Sequence, residues 1–123
     1  MRSQTIRSLL VVVSLFVGSY ASADKASLQK DLTAVRTCMV KMREGTGDVA
    51  ALKKEVAELS KKIDAEADSV PGFKAVWDAY QKTRDQDFIP AFDGSRPADK
   101  DKAKALGTGI QKERYEKMLL MLK

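Results

Sequence analysis

From Asp48 onward the sequence sets Val49, Leu52, Val56, Leu59, Ile63, Ala67 and Val70 three or four residues apart, with lysines and glutamates between them. Side chains spaced this way share one face only in a helix. A chain dominated by such a stripe has to fold by packing helical faces together. Asp48 stands where this helix needs an N-cap. Leu28, Leu32, Val35, Met39 and Met42 keep the same rhythm ahead of it, and Gly45-Thr46-Gly47 breaks the two apart.

Two more stretches follow. Ser69-Val70-Pro71-Gly72 reads as a turn, because Pro71 restricts the residue before it. A third helix is expected from about Pro71 or Phe73, carrying Phe73, Val76, Trp77, Tyr80, Thr83, Arg84 and Phe88. Pro90 lacks an amide hydrogen and is expected to kink or stop it, with Ile89 and Phe92 folding back onto the bundle end. After the turn Asp93-Gly94-Ser95-Arg96-Pro97, a last helix is expected from Ala98 or Asp99 to Leu122. Its apolar positions are Ala103, Leu106, Ile110, Tyr115, Met118, Leu119, Met121 and Leu122. Gly107 and Gly109 interrupt it, marking close helix approach, a bend or access for a ligand. No stretch alternates as a strand does. The short joins predict an all-α, up-and-down four-helix bundle in a single domain. Two alternatives stay open: three long helices, if the third runs on from the second, and an intermolecular coiled coil, which heptad spacing also allows.

The N-terminus is read apart from the fold. Arg2 and Arg7 precede the apolar run Leu9 to Tyr20, which ends in Ala21-Ser22-Ala23 before Asp24. That is the layout of a secretory signal peptide, and the run is shorter than the ~20 residues of a spanning helix. The expected division is a signal peptide at 1–23, cleaved after Ala23, and a bundle domain at 24–123 in the periplasm. The alternative is an uncleaved inner-membrane anchor with the bundle facing the periplasm, the only arrangement that involves a membrane. The net charge of +5 includes the leader's two arginines. The remaining basic residues are interleaved with acids, which argues against nucleic acid as a partner, since phosphate backbones call for clustered positive charge.

Candidate chemistry is sparse. The chain has no histidine, so the commonest general base and metal ligand is missing. Ser60 precedes Lys61 and Lys62, but adjacent helical residues do not face one another, and the group reads as solvent surface. Asp85, Asp87, Asp93, Asp99 and Asp101 straddle a helix, a proline and a turn, without the compact loop that calcium needs. They read as solvated charges and a helix cap near Asp99. No metal, no cofactor and no enzymatic activity are expected. The one cysteine, Cys38, is either buried or bridges two subunits.

What remains is a recognition pattern. Trp77 and Tyr80 share a face, and Arg84 follows Tyr80 by four. Aromatic rings bury flat apolar groups, and arginine presents a fork to a carboxylate. Arg36 and Arg43 from the first helix, with Arg114 and Tyr115 from the last, are candidates for the facing wall of such a cleft. The competing reading puts the aromatics in the core and pairs Arg84 with Asp87 or Asp78.

The segments FKAVWDAYQKTRDQDFIPAF and AKALGTGIQKERYEKMLLMLK, spanning roughly residues 73–123, resemble the second half of the four-helix-bundle ligand-binding domains of bacterial chemoreceptors. The resemblance is carried by Phe73, Trp77, Tyr80, Arg84, Gly94, Ala103, Ala105, Arg114 and Tyr115. It implies a periplasmic helical sensor, generally dimeric, that binds small organic molecules or a partner binding protein near the subunit boundary. Receptors of that family signal through a second membrane helix, which does not follow here, so signalling across a membrane by this chain alone is not expected. The leading expectation is a non-catalytic, sensor-like homodimer that binds a small organic acid, an amino acid, an aromatic ligand or a partner protein. Its cleft would lie between the first and last helices or at the dimer seam. The alternative is a structural or adaptor coiled-coil protein of the envelope, engaging another protein through Leu28, Leu32, Met39 and Met42.

Overall fold

The structure is a computed structural model and describes residues 25–123; the expected leader lies outside the described residues. Helix α1 covers 25–44 and α2 covers Val49–Glu66, extended by a short 3-10 turn at Ala67–Ser69. Helix α3, Phe73–Thr83, runs into a π-helical turn at Arg84–Phe88 and then into α4, Ile89–Phe92. A 3-10 turn at Pro97–Asp99 leads into α5, Lys100–Thr108, and α6, Ile110–Met121. These make four rods, with no strand among the described residues.

Each rod runs antiparallel to its neighbours. Between α1 and α2, Ser27 Oγ donates to Glu66 Oε1 at 3.4 Å. Between α2 and the third rod, Trp77 meets Asp64, Arg84 meets Ser60 and Lys53 meets Asp93. Gln111 of α6 reaches Tyr80, and Arg36 of α1 reaches Gly107 of α5. Each helix therefore has two neighbours, the arrangement of an up-and-down bundle. Asp48 caps α2 as expected, its Oδ2 accepting from the Ala51 amide at 3.2 Å. Val70 is extended and Gly72 sits at φ +80, a left-handed conformation that glycine adopts freely. Together they reverse the chain, so the second and third rods stay separate and the three-helix alternative is not realised.

The core is continuous. Trp77, Tyr80, Phe73, Leu28, Leu32 and Ile63 are each fully buried. The face expected of an adaptor is part of this core: Leu28 and Leu32 are 0% exposed, Met39 3% and Met42 2%. That stripe is used up against the chain's own helices and offers nothing to another protein. Among the described residues no helix is long and apolar enough to cross a membrane.

Three local expectations are corrected. The distortion expected at Pro90 falls upstream of it and the rod runs on to Phe92, with Ile89 buried and Phe92 packed against the core. The helix widens ahead of the proline into the π turn, with the Ile89 amide bonding the Arg84 carbonyl five residues back, and an α turn then carries Pro90 at its start. The wider turn removes the steric and donor conflict that proline creates with the preceding turn. The last rod is two helices, divided at Gly109, where an added Cβ would meet the Ala105 carbonyl oxygen at 2.9 Å. Its inward face also differs: Ile110 is 40% exposed, while Gln111 is buried at 2%.

Gly107 serves close approach. A Cβ there would lie 2.9 Å from Phe88 Cε2 and 3.7 Å from Arg43 Cδ, and Phe88 is itself buried against Phe92 with ring centroids 5.0 Å apart. Gly107→Val is expected to cost about 2 kcal/mol through overpacking. Denaturant unfolding reads this loss, and Phe88→Leu in the same chain should return part of it relative to Phe88→Leu alone.

Candidate functional site

The aromatic face of the third rod points inward. Trp77 and Tyr80 stack with centroids 5.9 Å apart at 16°, and both are fully buried. Their polar ends then need hydrogen-bond partners of their own. The Trp77 Nε1–H donates to Asp64 Oδ1 at 2.7 Å, and Gln81 Nε2 donates to the same oxygen at 3.0 Å. The Tyr80 hydroxyl has no hydrogen bond. Burial pushes its pKa up, and the nearby guanidinium of Arg36, then that of Arg84, pulls the other way.

Arg84 opens the π turn at 4% exposure, its guanidinium carbon 5.7 Å from the centre of the Trp77 ring. Its Nε and Nη2 donate to Asp85 Oδ1 and Oδ2 at 2.8 and 3.1 Å, Nη1 to Ser60 Oγ at 2.8 Å, and Nη2 to Gln81 Oε1 at 3.3 Å. This corrects two expectations. The acid beside Arg84 is Asp85, because Asp78 is held by Lys74 and Asp87 lies beside Arg96. Ser60 is not solvent surface: it is 6% exposed and satisfies a buried cation. Arg84 and Asp85 also line a cleft of about 350 Å³ with Lys53, Val56, Ile89 and Asp93, but each of its four charges is already paired within it.

The remaining candidates occupy other faces. Arg36 lies over the Tyr115 ring at 5.6 Å and donates to the Gly107 carbonyl at 2.8 Å; Tyr115 donates to Thr33 Oγ1 at 3.4 Å. Arg43 sits beside Gly107 and 3.9 Å from Glu44. Arg114 is on the far side of the last rod, where Nη1 donates to the Ala79 carbonyl at 3.3 Å and to Thr83 Oγ1 and Gln111 Oε1 at 2.8 Å each. Trp77, Tyr80 and Arg84 are thus brought together in the core, with Arg36 near Tyr80. Arg114 stands apart and lines a separate groove between α3 and α6.

That groove is about 350 Å³, lined by Ala75, Val76 and Ala79 of α3 and by Ile110, Glu113, Arg114 and Lys117 of α6. Its α3 wall is made of small side chains. Arg114 is positioned at its edge by neutral acceptors alone: no ion pair reaches it, and no hydrogen bond uses its Nε or Nη2 among the described residues. Sequence reasoning missed the three groups that fix it, Gln111, Thr83 and the Ala79 carbonyl. The available signal was Gln111 itself, a polar residue four positions beyond Gly107 on the inward stripe.

The acidic residues near Pro90 form no metal cluster; none exists among the described residues. Asp93 is held by its neighbours: Ser95 N–H donates to its Oδ1 at 2.8 Å and Lys53 lies 3.0 Å from Oδ2. Asp99 stands at the N-cap position of α5 but bonds no amide with its side chain. Cys38 is buried at 2% exposure, so a bridge between subunits would require its helix to open.

Two measurements follow from these environments. The bonds from Ser95, then that from Lys53, hold the Asp93 carboxyl down from 3.8 to about 2. A carboxyl that binds protons less tightly when folded stabilises the fold above pH 3.8, and that stabilisation is lost as pH falls through about 2. Asp93→Asn should therefore lower stability near neutral pH, with the deficit shrinking toward pH 2 in a pH series of denaturation curves. Burial, then the Glu55 carboxylate, pushes the Cys38 thiol from 9.0 up to about 11. A neutral-pH thiol reagent should leave the native protein unlabelled and react on unfolding; rapid native labelling would contradict the buried placement.

Comparison with protein-family models, curated proteins and solved structures finds no match for this chain. The chemoreceptor resemblance is therefore carried by its residues alone, and the all-helical, up-and-down bundle is what stands.

Proposed function

We propose that this chain is a non-catalytic binding protein whose α3/α6 groove takes a small organic acid with an apolar body. The observation that carries the reading is Arg114, a half-buried guanidinium oriented by three neutral acceptors, with no ion pair to it among the described residues and with Nε and Nη2 unused. A cation fixed in this way is organised in advance to receive a carboxylate, and the bidentate, charge-assisted bonds of such a pair are among the stronger ones proteins make. Lys117 adds a second positive charge at the groove, and Ala75, Val76, Ala79 and Ile110 supply apolar walls. Glu113 on the same wall suits the ammonium of an amino acid as well, although a plain organic acid makes fuller use of the apolar surface.

The Arg84 cleft supports the reading less well, because a ligand there has to displace Asp85 before it meets the guanidinium. The layout of the first 23 residues supports placing this activity in the periplasm. The lack of histidine and of a metal-holding cluster among the described residues gives no support to a catalytic reading, and the resemblance over residues 73–123 is to binding domains as well.

Calorimetric titration with benzoate, substituted aromatic acids, short-chain aliphatic acids and amino acids tests the proposal. At least one aromatic or aliphatic acid is expected to bind the wild type. Arg114→Lys should weaken it about tenfold or more, since an ammonium does not reproduce the fork. Ala79→Leu should abolish it by filling the groove while circular dichroism stays helical. Binding that survives Ala79→Leu would place the site elsewhere, and a panel without any binder would sink the reading.

A further inference from the structure

The outer face of α6 carries a stripe that the core does not use and that the ligand groove shares through Ile110, Glu113 and Lys117. Ile110, Glu113, Lys117 and Leu120 are all solvent-exposed and lie three, four and three residues apart. They form one straight row, spaced as the contact row of a helix pair is spaced. Ile110 at 40% and Leu120 at 65% are the exposed large apolar residues among those described, and they stand at the two ends of this row. The two charges lie between them. Glu113 and Lys117 are placed well for an ion pair within the helix, yet neither pairs with the other or with any described residue.

The row is complementary to itself when reversed. If a second α6 approaches antiparallel, Ile110 faces Leu120 and Glu113 faces Lys117, and both pairings are centred on residue 115. One two-fold axis through that point therefore satisfies all four residues in both copies, which is the condition for an isologous interface. Ala75 and Ala79 on neighbouring α3 are small, leaving room for the flanks of the incoming helix.

We infer that this face is an interface with a second copy of the chain, formed by antiparallel pairing of α6 with α6. The inference goes beyond the binding function proposed above; because Ile110, Glu113 and Lys117 also line the groove, a second copy and a ligand compete for this face. The interface is small. A helix of 12 residues is about 18 Å long, and one helix pair buries less than the roughly 1,200 Å² of a standard stable interface. The dimer is therefore weak and concentration-dependent, and it loosens with salt, because the Glu113–Lys117 contacts lie near solvent.

Sedimentation equilibrium of the purified protein without added ligand, from micromolar into the millimolar range, tests it. The wild type should pass from monomer to dimer. Leu120→Lys and Glu113→Lys should each weaken association about tenfold or more, and both change exposed side chains, so circular dichroism should be unaltered. The double reversal E113K/K117E should restore association to within about threefold, because it exchanges the two charges across the same axis. A monomer at every concentration would overturn the inference, as would a dimer indifferent to these changes or a double reversal that fails to rescue. The Arg114 groove reading is decided separately, by titrating the wild type and Arg114→Lys at micromolar protein, where the chain is expected to be monomeric.

Discussion

A tryptophan and a tyrosine stacked in the middle of a bundle bring two polar ends into a place without bulk water. That constraint organises the interior of this protein. The Trp77 nitrogen is met by Asp64 from α2, and Asp64 also receives Gln81. One turn further on, Arg84 lies against the same indole and needs acceptors of its own, which Ser60, Gln81 and Asp85 provide. Removing one partner from such a set leaves a buried donor unmet, at roughly 1–3 kcal/mol for a neutral group. The Tyr80 hydroxyl is the exception, buried and unbonded near two guanidinium groups. The α2–α3 contact is thus as much a polar layer as an apolar one, and it ties two helices in a single register.

A second polar layer joins α3 to α6 by a different device. Gln111 donates to the Tyr80 carbonyl and accepts from Arg114, which also bonds the Ala79 carbonyl and Thr83. These acceptors are neutral, so they position the guanidinium without cancelling its charge. Arg84 is the contrast: equally well held, but neutralised by Asp85. Two arginines of similar appearance in the sequence thus have opposite availability. The difference lies in the neighbouring helix rather than in their own segments.

Much of the fold was legible because periodicity reports directly on burial. The stripes Leu28–Met42 and Leu52–Val70 are core as the spacing implies, and Asp48 caps where a cap is needed. Legibility fell where one backbone conflict is resolved by another part of the chain. Pro90 announced trouble, but a π turn upstream rather than a break at Pro90 resolves it. Ile110 and Gln111 exchanged their expected places, because the buried amide answers a carbonyl on α3 that no local pattern reveals. Ser60 looked like surface beside two lysines until a cation from another helix needed its oxygen.

The sequence by itself determined that the chain is helical, where its turns fall, and which stripes of the first two helices face inward, because each of these follows from local spacing and turn chemistry. Only the tertiary structure decided which arginines are left without an ion pair, which polar side chains are buried, and that the methionine-bearing stripe of α1 is used internally. These depend on which atoms from distant segments arrive within three ångströms of one another. A one-dimensional pattern carries the period of a surface but not the identity of what is pressed against it.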